Sequence, residues 1–198
     1  MRFKNKTALI TGAAVGIGRA TAVKLAQQGA NVVALDLNSD ELKLLKKEGE
    51  TIGGKILTYV CDVSNELAVN LTIEDAKKQF GKIDILVNNA ALWRTMSSFL
   101  ETSVETWKNY IDVNVMSAVY CTKSVLPEMI ENGCGRIINV ASVAGVYGNA
   151  NMVHYSATKG ALIAMTQALA KEVANKGVLV NAISPGTVSS FEIGRAHV

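Results

Sequence analysis

The sequence predicts an α/β fold in which one parallel β-sheet is covered by helices on both faces. Short apolar runs rich in β-branched residues alternate with longer helical stretches along the 198 residues, a pattern typical of parallel strands joined by crossover helices. Gly29, Gly81 and Gly177 each lie between the end of a helical stretch and the next apolar run, where a left-handed helix cap is expected. These observations favour a Rossmann-like, doubly wound sheet.

Six strands and five helices follow from this alternation. The strands are expected at 6–11, 31–35, 55–60, 83–87, 135–140 and 177–182. The helices are expected at 17–28, 39–51, 65–80, 102–131 and 153–175. Six strands in this alternation match the sheet order 3-2-1-4-5-6. Pro127 lies inside the fourth helical stretch and is expected to bend it or end it near Leu126.

Composition narrows the class of protein. The chain suits a single domain, with hydrophobic residues at 49% and a net charge of +3. No apolar run approaches the roughly 18 residues of a membrane span, and residues 1–6 lead directly into a strand, so we expect a cytoplasmic protein without a signal peptide. The lysines are scattered among acidic residues, which indicates a solvated surface and no nucleic-acid partner. Three cysteines without paired spacing indicate reduced thiols, and no metal-ligand spacing is present.

A glycine-rich turn separates the first predicted strand from the first helix. Its glycines are Gly12, Gly16 and Gly18. Such a turn lets backbone amides approach a pyrophosphate, and the helix N-terminus adds partial positive charge. Asp36 ends the second strand 18 positions after Gly18. An acid there accepts hydrogen bonds from adenosine ribose hydroxyls and repels a 2′-phosphate, and no basic residue closely follows it. The sequence therefore predicts NAD(H) in preference to NADP(H).

A second group of residues predicts acid–base chemistry. Tyr155 and Lys159 are four positions apart in a predicted helix and therefore share one face. An ammonium beside a phenol lowers the pKa of the phenol, which allows it to act as a general acid or base. Ser142, 13 positions before the tyrosine, can donate a hydrogen bond to a substrate oxygen. Together with a hydride carrier, these residues predict carbonyl–alcohol oxidoreduction.

These motifs together resemble those of the short-chain dehydrogenase/reductase family over about residues 4–190. The glycine loop has the family spacing GxxxGxG, and Ser142, Tyr155 and Lys159 have its catalytic spacing. The other positions that match the family are Asn88, Asn89 and Ala90 after the fourth strand, Asn114, the pair Pro185 and Gly186, and Asp62 with Val63 after the third strand. Ala91 stands where the family has glycine.

The resemblance implies a role for each matching residue. Tyr155 exchanges the proton with the substrate oxygen, Ser142 orients that oxygen, and Lys159 lowers the tyrosine pKa and binds the nicotinamide ribose. Asn114 holds a water that links the lysine to solvent. The remaining matches bind the cofactor: Ile17 at the pyrophosphate, Asp62 and Val63 at the adenine, Asn88 and Ala90 after the fourth strand, and Pro185, Gly186 and Val188 at the nicotinamide. Asn88 is also open to a purely structural interpretation, as a bridge between strands.

The C-terminal segment departs from the family. Residues 193–198 back-translate into a common sequencing adapter, so we expect a single domain over 1–191 and a non-native tail over 192–198. Family members continue into a substrate lid, a further helix and a last strand, which we therefore expect to be missing. In the complete protein, the resemblance implies a homodimer or homotetramer formed through the helices at 102–131 and 153–175.

Three functions stay open from the sequence. The first is an NAD(H)-dependent oxidoreductase acting on a small secondary alcohol or ketone. The second is a catalytically inactive NAD-binding fragment, and the third an NADPH-dependent 3-oxoacyl-carrier-protein reductase. Trp93 and Arg94 are candidates for the border of the substrate pocket. Some of the residues between Ser142 and Tyr155 are expected to line it, the candidates being Val143, Val146, Tyr147 and Asn149. His154 adjoins Tyr155 but is expected to point away from the reaction.

Overall fold

Six parallel strands form one sheet in the order β3-β2-β1-β4-β5-β6, which confirms the predicted topology. The computed structural model describes residues 1–188, so the predicted tail lies outside the described residues. The strands are β1 (Thr7–Thr11), β2 (Asn31–Asp36), β3 (Lys55–Val60), β4 (Ile85–Asn88), β5 (Gly135–Val140) and β6 (Val178–Ile183). The order reverses between β1 and β4, where a crevice opens at the carboxyl ends of the strands.

The helices connect these strands. They are α1 (Gly16–Gln27), α2 (Ser39–Thr51), α3 (Glu66–Phe80), α4 (Val104–Ile111), α5 (Ser117–Glu131), α6 (Ala144–Tyr147) and α7 (Val153–Val173). Asn38, Asn65 and Ser103 cap α2, α3 and α4 by accepting a backbone N–H from the first turn, as short polar side chains do at helix starts.

The hydrophobic core has two halves, one on each face of the sheet. Alternate residues of a strand point to opposite faces, so Leu9 packs with the half that includes α3, α5 and α7, while Ile10 packs with the half formed with α1 and α2. Strand residues buried on both faces read as continuous apolar runs, which is why the sequence revealed them.

The prediction of one helix over 102–131 is wrong in detail. A five-residue π-helical segment, Asp112–Met116, separates α4 from α5. Of the two effects expected of Pro127, a bend or an end near Leu126, the end does not occur, because α5 continues to Glu131. Lys77 of α3 donates to the Ser124 carbonyl at 3.3 Å and pairs with Glu128 at 2.9 Å. This contact holds the turn around the proline against its neighbour.

A polar network fixes the central strands to α7 beneath the carboxyl edge of the sheet. Asn139 of β5 is fully buried. Its Oδ1 accepts from Asn88 Nδ2 at 2.8 Å, and its Nδ2 donates to Thr166 Oγ1 at 2.8 Å. The side chain therefore joins β4, β5 and α7, the elements that carry most of the candidate site.

Asn139→Ala should destabilise the protein, because it leaves the buried amide of Asn88 and the hydroxyl of Thr166 without this partner. We expect the free energy of unfolding, measured by urea denaturation, to fall by roughly 2–4 kcal/mol. The control is Asn109→Ala on the exposed side of α4, which should not lower it. Equal effects from the two substitutions would contradict the role of this network.

Candidate active site

The loop from Gly12 to Val15 brings the end of β1 onto the start of α1. A Cβ at Gly18 would collide with the Gly12 carbonyl oxygen, and one at Gly12 would lie 2.8 Å from Ala90 Cα. Only glycine allows backbones to approach so closely. Gly16 has a φ of +57° and open space where its Cβ would be. The loop therefore presents bare backbone to a cavity that it lines together with residues from the ends of the other strands. This shape suits a phosphate group at a helix N-terminus.

Asn89 fixes the glycine loop from the neighbouring strand. Its Nδ2 donates to the carbonyls of Thr11 and Gly12 at 2.9 Å each. The backbone N–H groups of Asn89 and Ala90 both donate to Thr11 Oγ1 at 3.0 Å. The resemblance implies a cofactor contact at Asn88, but Asn88 is buried and does not line the cavity. Its side chain bridges strands, and Asn89 lies against the loop instead.

Asp36 is held in place by two backbone donors. Ala14 N donates to its Oδ2 at 2.9 Å and Asn38 N donates to its Oδ1 at 3.0 Å. The carboxylate thus lies between the glycine loop and the start of α2, with a lone pair left on each oxygen. Asp62 and Val63, which follow β3, line the same cavity.

Ser142, Tyr155 and Lys159 meet at the other end of this cavity. Ser142 lies two residues beyond β5, and its Oγ accepts from Ala144 N at 3.1 Å. Lys159, one helical turn after Tyr155, is 2% exposed and donates from Nζ to the Val140 carbonyl at 2.6 Å. Its Nζ lies 5.8 Å from the centroid of the Tyr155 ring.

The electrostatics of this pair differ from the expectation. Burial raises the pKa of Tyr155 above its usual value, and the hydrogen bond with Ser142 opposes this only in part. Burial also lowers the pKa of Lys159 to about 8. The amine is desolvated and directed at the Val140 carbonyl. In this geometry burial outweighs any lowering of the phenol pKa by the lysine.

Asn114 does not line the cavity but supports its wall. It is buried in the π-helical segment, where its Oδ1 accepts from Leu92 N at 2.7 Å. Its Nδ2 donates to Leu92 O and to Thr158 Oγ1, both at 3.0 Å. Both side-chain N–H donors are therefore used, which leaves the backbone carbonyl and one lone pair for any contact with water.

The cavity is a single space of about 710 Å³ that joins the two ends. Thirteen of the predicted site residues line it: Gly12, Gly16, Ile17, Asp36, Asp62, Val63, Ala90, Ser142, Tyr155, Lys159, Pro185, Gly186 and Val188. Gly18 packs against Gly12 behind the lining. These residues fit a dinucleotide, because the glycine loop, the Asp36 carboxylate and the Tyr155 phenol border one continuous cavity.

Sequence reasoning missed part of the substrate side. Trp93 and Arg94, the two candidates from the sequence, line the cavity. The lining residues that the sequence did not indicate on this side include Leu92, Thr95, Tyr110 and Met152. None of the four expected residues between Ser142 and Tyr155 lines it. Val146 and Tyr147 lie on α6 and expose 56% and 84% of their surface, and Val143 and Asn149 flank that helix. His154 is fully buried against Tyr110, with ring centroids 4.3 Å apart, and is not part of the cavity. The sequence did not indicate α6, because a helix of four residues is too short to show a recognisable periodicity.

Among residues 1–188, no helix is long and apolar enough to span a bilayer. The same residues contain no group of three or more His, Cys, Asp or Glu side chains that could hold a metal ion.

Comparison with known proteins identifies the family. The family model for short chain dehydrogenases matches residues 6–195. The chain belongs to the short-chain dehydrogenase/reductase family. It is 40% identical over 190 residues to a 3-oxoacyl-[acyl-carrier-protein] reductase of Thermotoga maritima, covering 96% of this chain and 77% of that one. It is 38% identical over 191 residues to the 2-dehydro-3-deoxy-L-rhamnonate dehydrogenase (NAD(+)) of a Sphingomonas species, covering 96% and 74%.

A solved structure supports the fold assignment. NAD⁺-bound xylitol dehydrogenase superposes with a TM-score of 0.94 at 38% identity, covering 99% of this chain and 76% of that one. The protein is thus an oxidoreductase of a nicotinamide-dependent family. The relatives differ in substrate, so the family alone does not select one.

The lowered pKa of Lys159 predicts a specific pH dependence of stability. Between about 8 in the folded state and 10.5 in the unfolded state, the unfolded chain binds a proton that the folded chain does not. Stability due to Lys159 therefore rises with pH across this window. Relative to Lys159→Met, the wild-type free energy of unfolding should increase between about pH 8 and pH 10.

Urea denaturation of both proteins across this range measures the difference. Lys171→Met, on the exposed part of the same helix, serves as the control and should show no such trend. If the difference in the free energy of unfolding between the wild type and Lys159→Met stays constant from neutral pH upwards, a desolvated amine at this position is contradicted.

Proposed function

We propose that this protein transfers hydride between NAD(H) and a secondary alcohol or ketone, with Tyr155 as the general acid and base. The observation that carries the proposal is the single cavity, which runs from Asp36 to Ser142, Tyr155 and Lys159. A cofactor bound at one end would bring its reactive ring to the acid–base group at the other. This is the arrangement that direct hydride transfer needs.

The cofactor would be held by residues along the carboxyl edge of the sheet. The loop from Gly12 to Ile17 would receive the pyrophosphate, Asp36 the adenosine ribose, and Asp62 with Val63 the adenine. Pro185, Gly186 and Val188 line the cavity on the side of Ser142, since Val143 N donates to the Pro185 carbonyl at 3.1 Å, and the nicotinamide would lie there. Ala90 lines the cavity beside Gly12. The nicotinamide ring supplies the hydride acceptor or donor when it is bound.

Tyr155 would exchange the proton with the substrate oxygen. In reduction it gives the phenol proton to the developing alkoxide, and in oxidation it takes the proton from the alcohol. Burial, which raises its pKa, favours the protonated phenol, the form that donates the proton in reduction. Ser142 lies beside it and can donate its hydroxyl proton to the same oxygen, because its Oγ accepts from Ala144 N and keeps its own hydrogen.

Lys159 would orient the ribose and support the phenol. Its amine has three donors when protonated, and one is directed at the Val140 carbonyl. Two remain for ribose hydroxyls and for the tyrosine oxygen. Asn114 would assist from the π-helical segment by positioning Leu92 in the cavity wall. We expect any proton route past Asn114 to use its backbone carbonyl.

The NAD(H) preference is supported by the surroundings of Asp36. A carboxylate fixed by Ala14 and Asn38 can accept hydrogen bonds from both ribose hydroxyls. The same carboxylate would repel a negatively charged 2′-phosphate. The side chains that line the cavity beside it, Val15 and Leu37, carry no charge. The named NAD(+) dehydrogenase relative has the same coverage of this chain as the reductase relative.

A second candidate function is reduction of a 3-oxoacyl thioester on a carrier protein. It is favoured by the 40% identity to the Thermotoga maritima reductase. The wall formed by Leu92, Trp93 and Met152 is apolar enough for an acyl chain as well as for a cyclic ketone. Comparing a 3-oxoacyl thioester with cyclic ketones and keto-sugars as substrates separates the two.

We also propose a homodimer or homotetramer in a reducing, cytoplasmic setting. Val104 and Ile111 expose 71% and 42% of their surface on α4, one of the helices implied in the interface. The three cysteines of the described residues are free thiols. Both features are compatible with this setting.

Tyr155→Phe should remove the acid–base group while leaving the cavity intact. We expect kcat for ketone reduction, followed by NADH absorbance, to fall about a hundredfold or more. The dissociation constant for NADH, measured by fluorescence titration, should change little. Tyr147→Phe, at an exposed tyrosine outside the cavity, is the matched control and should keep wild-type turnover.

Three outcomes distinguish the alternatives. If Tyr155→Phe keeps the turnover rate of the wild type, the proposed mechanism is contradicted. NADH binding without turnover of any of the three substrate classes would favour the inactive binding module. Tighter binding of NADPH than NADH by the wild type, with turnover of the thioester, would favour the carrier-protein reductase.

A further inference from the structure

The guanidinium of Arg19 is held by two glutamates of α2. Arg19 lies in the first turn of α1, directly after the glycine loop. Its Nη1 donates to Glu41 Oε2 at 3.1 Å, and its Nε and Nη2 donate to Glu48 Oε2 at 3.2 and 2.9 Å. The Arg19 side chain is only 26% exposed. Charge-assisted bonds to two carboxylates fix both the position and the direction of this cation.

The same guanidinium contacts the residue that holds Asp36. Arg19 Nη1 donates to the Ala14 carbonyl at 3.2 Å, and Ala14 N donates to Asp36 Oδ2 at 2.9 Å. The guanidinium and the Asp36 carboxylate are therefore separated by one residue and two hydrogen bonds. Arg19 itself does not line the cavity, so this cation lies just behind the adenosine ribose end.

The start of α2 links the glutamates to the same place. Asn38 N donates to Asp36 Oδ1, and Asn38 Oδ1 accepts from Glu41 N at 3.1 Å. Glu41 is thus in the first turn of the helix that begins at the ribose acid. Its carboxylate draws the Arg19 side chain towards α2, and Glu48, two turns further on, draws it in the same direction.

We propose that Glu41 and Glu48 are cofactor-specificity residues, because they keep Arg19 from pairing with a 2′-phosphate beside Asp36. The inference rests on the proposed NAD(H) preference and extends it beyond Asp36 itself. A guanidinium is the side chain best suited to a phosphate group. With both glutamates charged, Arg19 is neutralised and the surroundings of Asp36 stay negative. Without the two carboxylates, the guanidinium keeps the backbone carbonyls of Ala14 and Glu41 as partners, and its charge is no longer neutralised beside the place of the 2′-phosphate.

The test is the ratio of the dissociation constants for NADPH and NADH, measured by fluorescence titration. The variant Glu41→Gln/Glu48→Gln should lower the NADPH constant about tenfold, the scale of one charge-assisted bond. The NADH constant should change less than about threefold, since the 2′-hydroxyl carries no charge to pair with the released cation.

A matched control removes two charges from the same helix without touching Arg19. Asp40→Asn/Glu50→Gln does this, because Asp40 pairs with Lys43 on the exposed surface and Glu50 is exposed. It should leave the ratio within about threefold of the wild type, since exposed charges act weakly at a distance. Adding Arg19→Gln to Glu41→Gln/Glu48→Gln should cancel the gain in NADPH binding.

Three results overturn the proposal: an unchanged ratio in Glu41→Gln/Glu48→Gln, an equal change in the control, or a gain that survives Arg19→Gln. If the double variant does not fold, as judged by its thermal melt, Glu48→Gln alone must shift the ratio in the same direction or the proposal fails. The wild-type ratio tests the proposed NAD(H) preference separately, because that ratio does not depend on any variant.

Discussion

The hydrogen bond from Lys159 to the Val140 carbonyl, at 2.6 Å, is the interaction on which the site depends. A buried amine needs a partner, and this one takes the last carbonyl of β5. The bond fixes α7 against the carboxyl edge of the sheet, which places Tyr155 one turn earlier and beside Ser142. The crossing of α6 over α7 is equally tight: a Cβ at Gly145 would lie 2.6 Å from the Lys159 carbonyl carbon. Tyr155 is therefore positioned by one side-chain hydrogen bond and one close backbone contact of its helix.

The parallel sheet explains why distant parts of the sequence meet at one cavity. All six strands point the same way, so whatever follows each strand lies at the same edge. The glycine loop follows β1, Asp36 ends β2, and Asp62 follows β3. Asn89, Ser142 and Pro185 follow β4, β5 and β6. A cofactor that spans this edge would contact every strand end in turn, which is why a short polar or glycine motif follows each strand.

The sequence was sufficient for the order of the sheet and for thirteen of the residues that line the cavity. Continuous apolar runs revealed the strands, and glycine spacing located the phosphate loop. The sequence did not distinguish the roles of Asn88 and Asn89. Neighbouring residues along a strand point to opposite faces, so these two side chains have different surroundings. The π-helical segment at Asn114 left no trace in the spacing, because the apolar pattern continues through it. The raised pKa of Tyr155 depends on burial in the fold, which a four-residue spacing to a lysine does not reveal.

The central claim is that a desolvated lysine amine organises the acid–base group. The most direct test is an NMR titration of the Lys159 side chain through its labelled Cε and Nζ, assigned by comparison with Lys159→Met. The account predicts a midpoint near the lowered value of about 8. A midpoint at the ordinary lysine value of about 10.4 would show that the amine is solvated, and would contradict the arrangement from which the mechanism is derived.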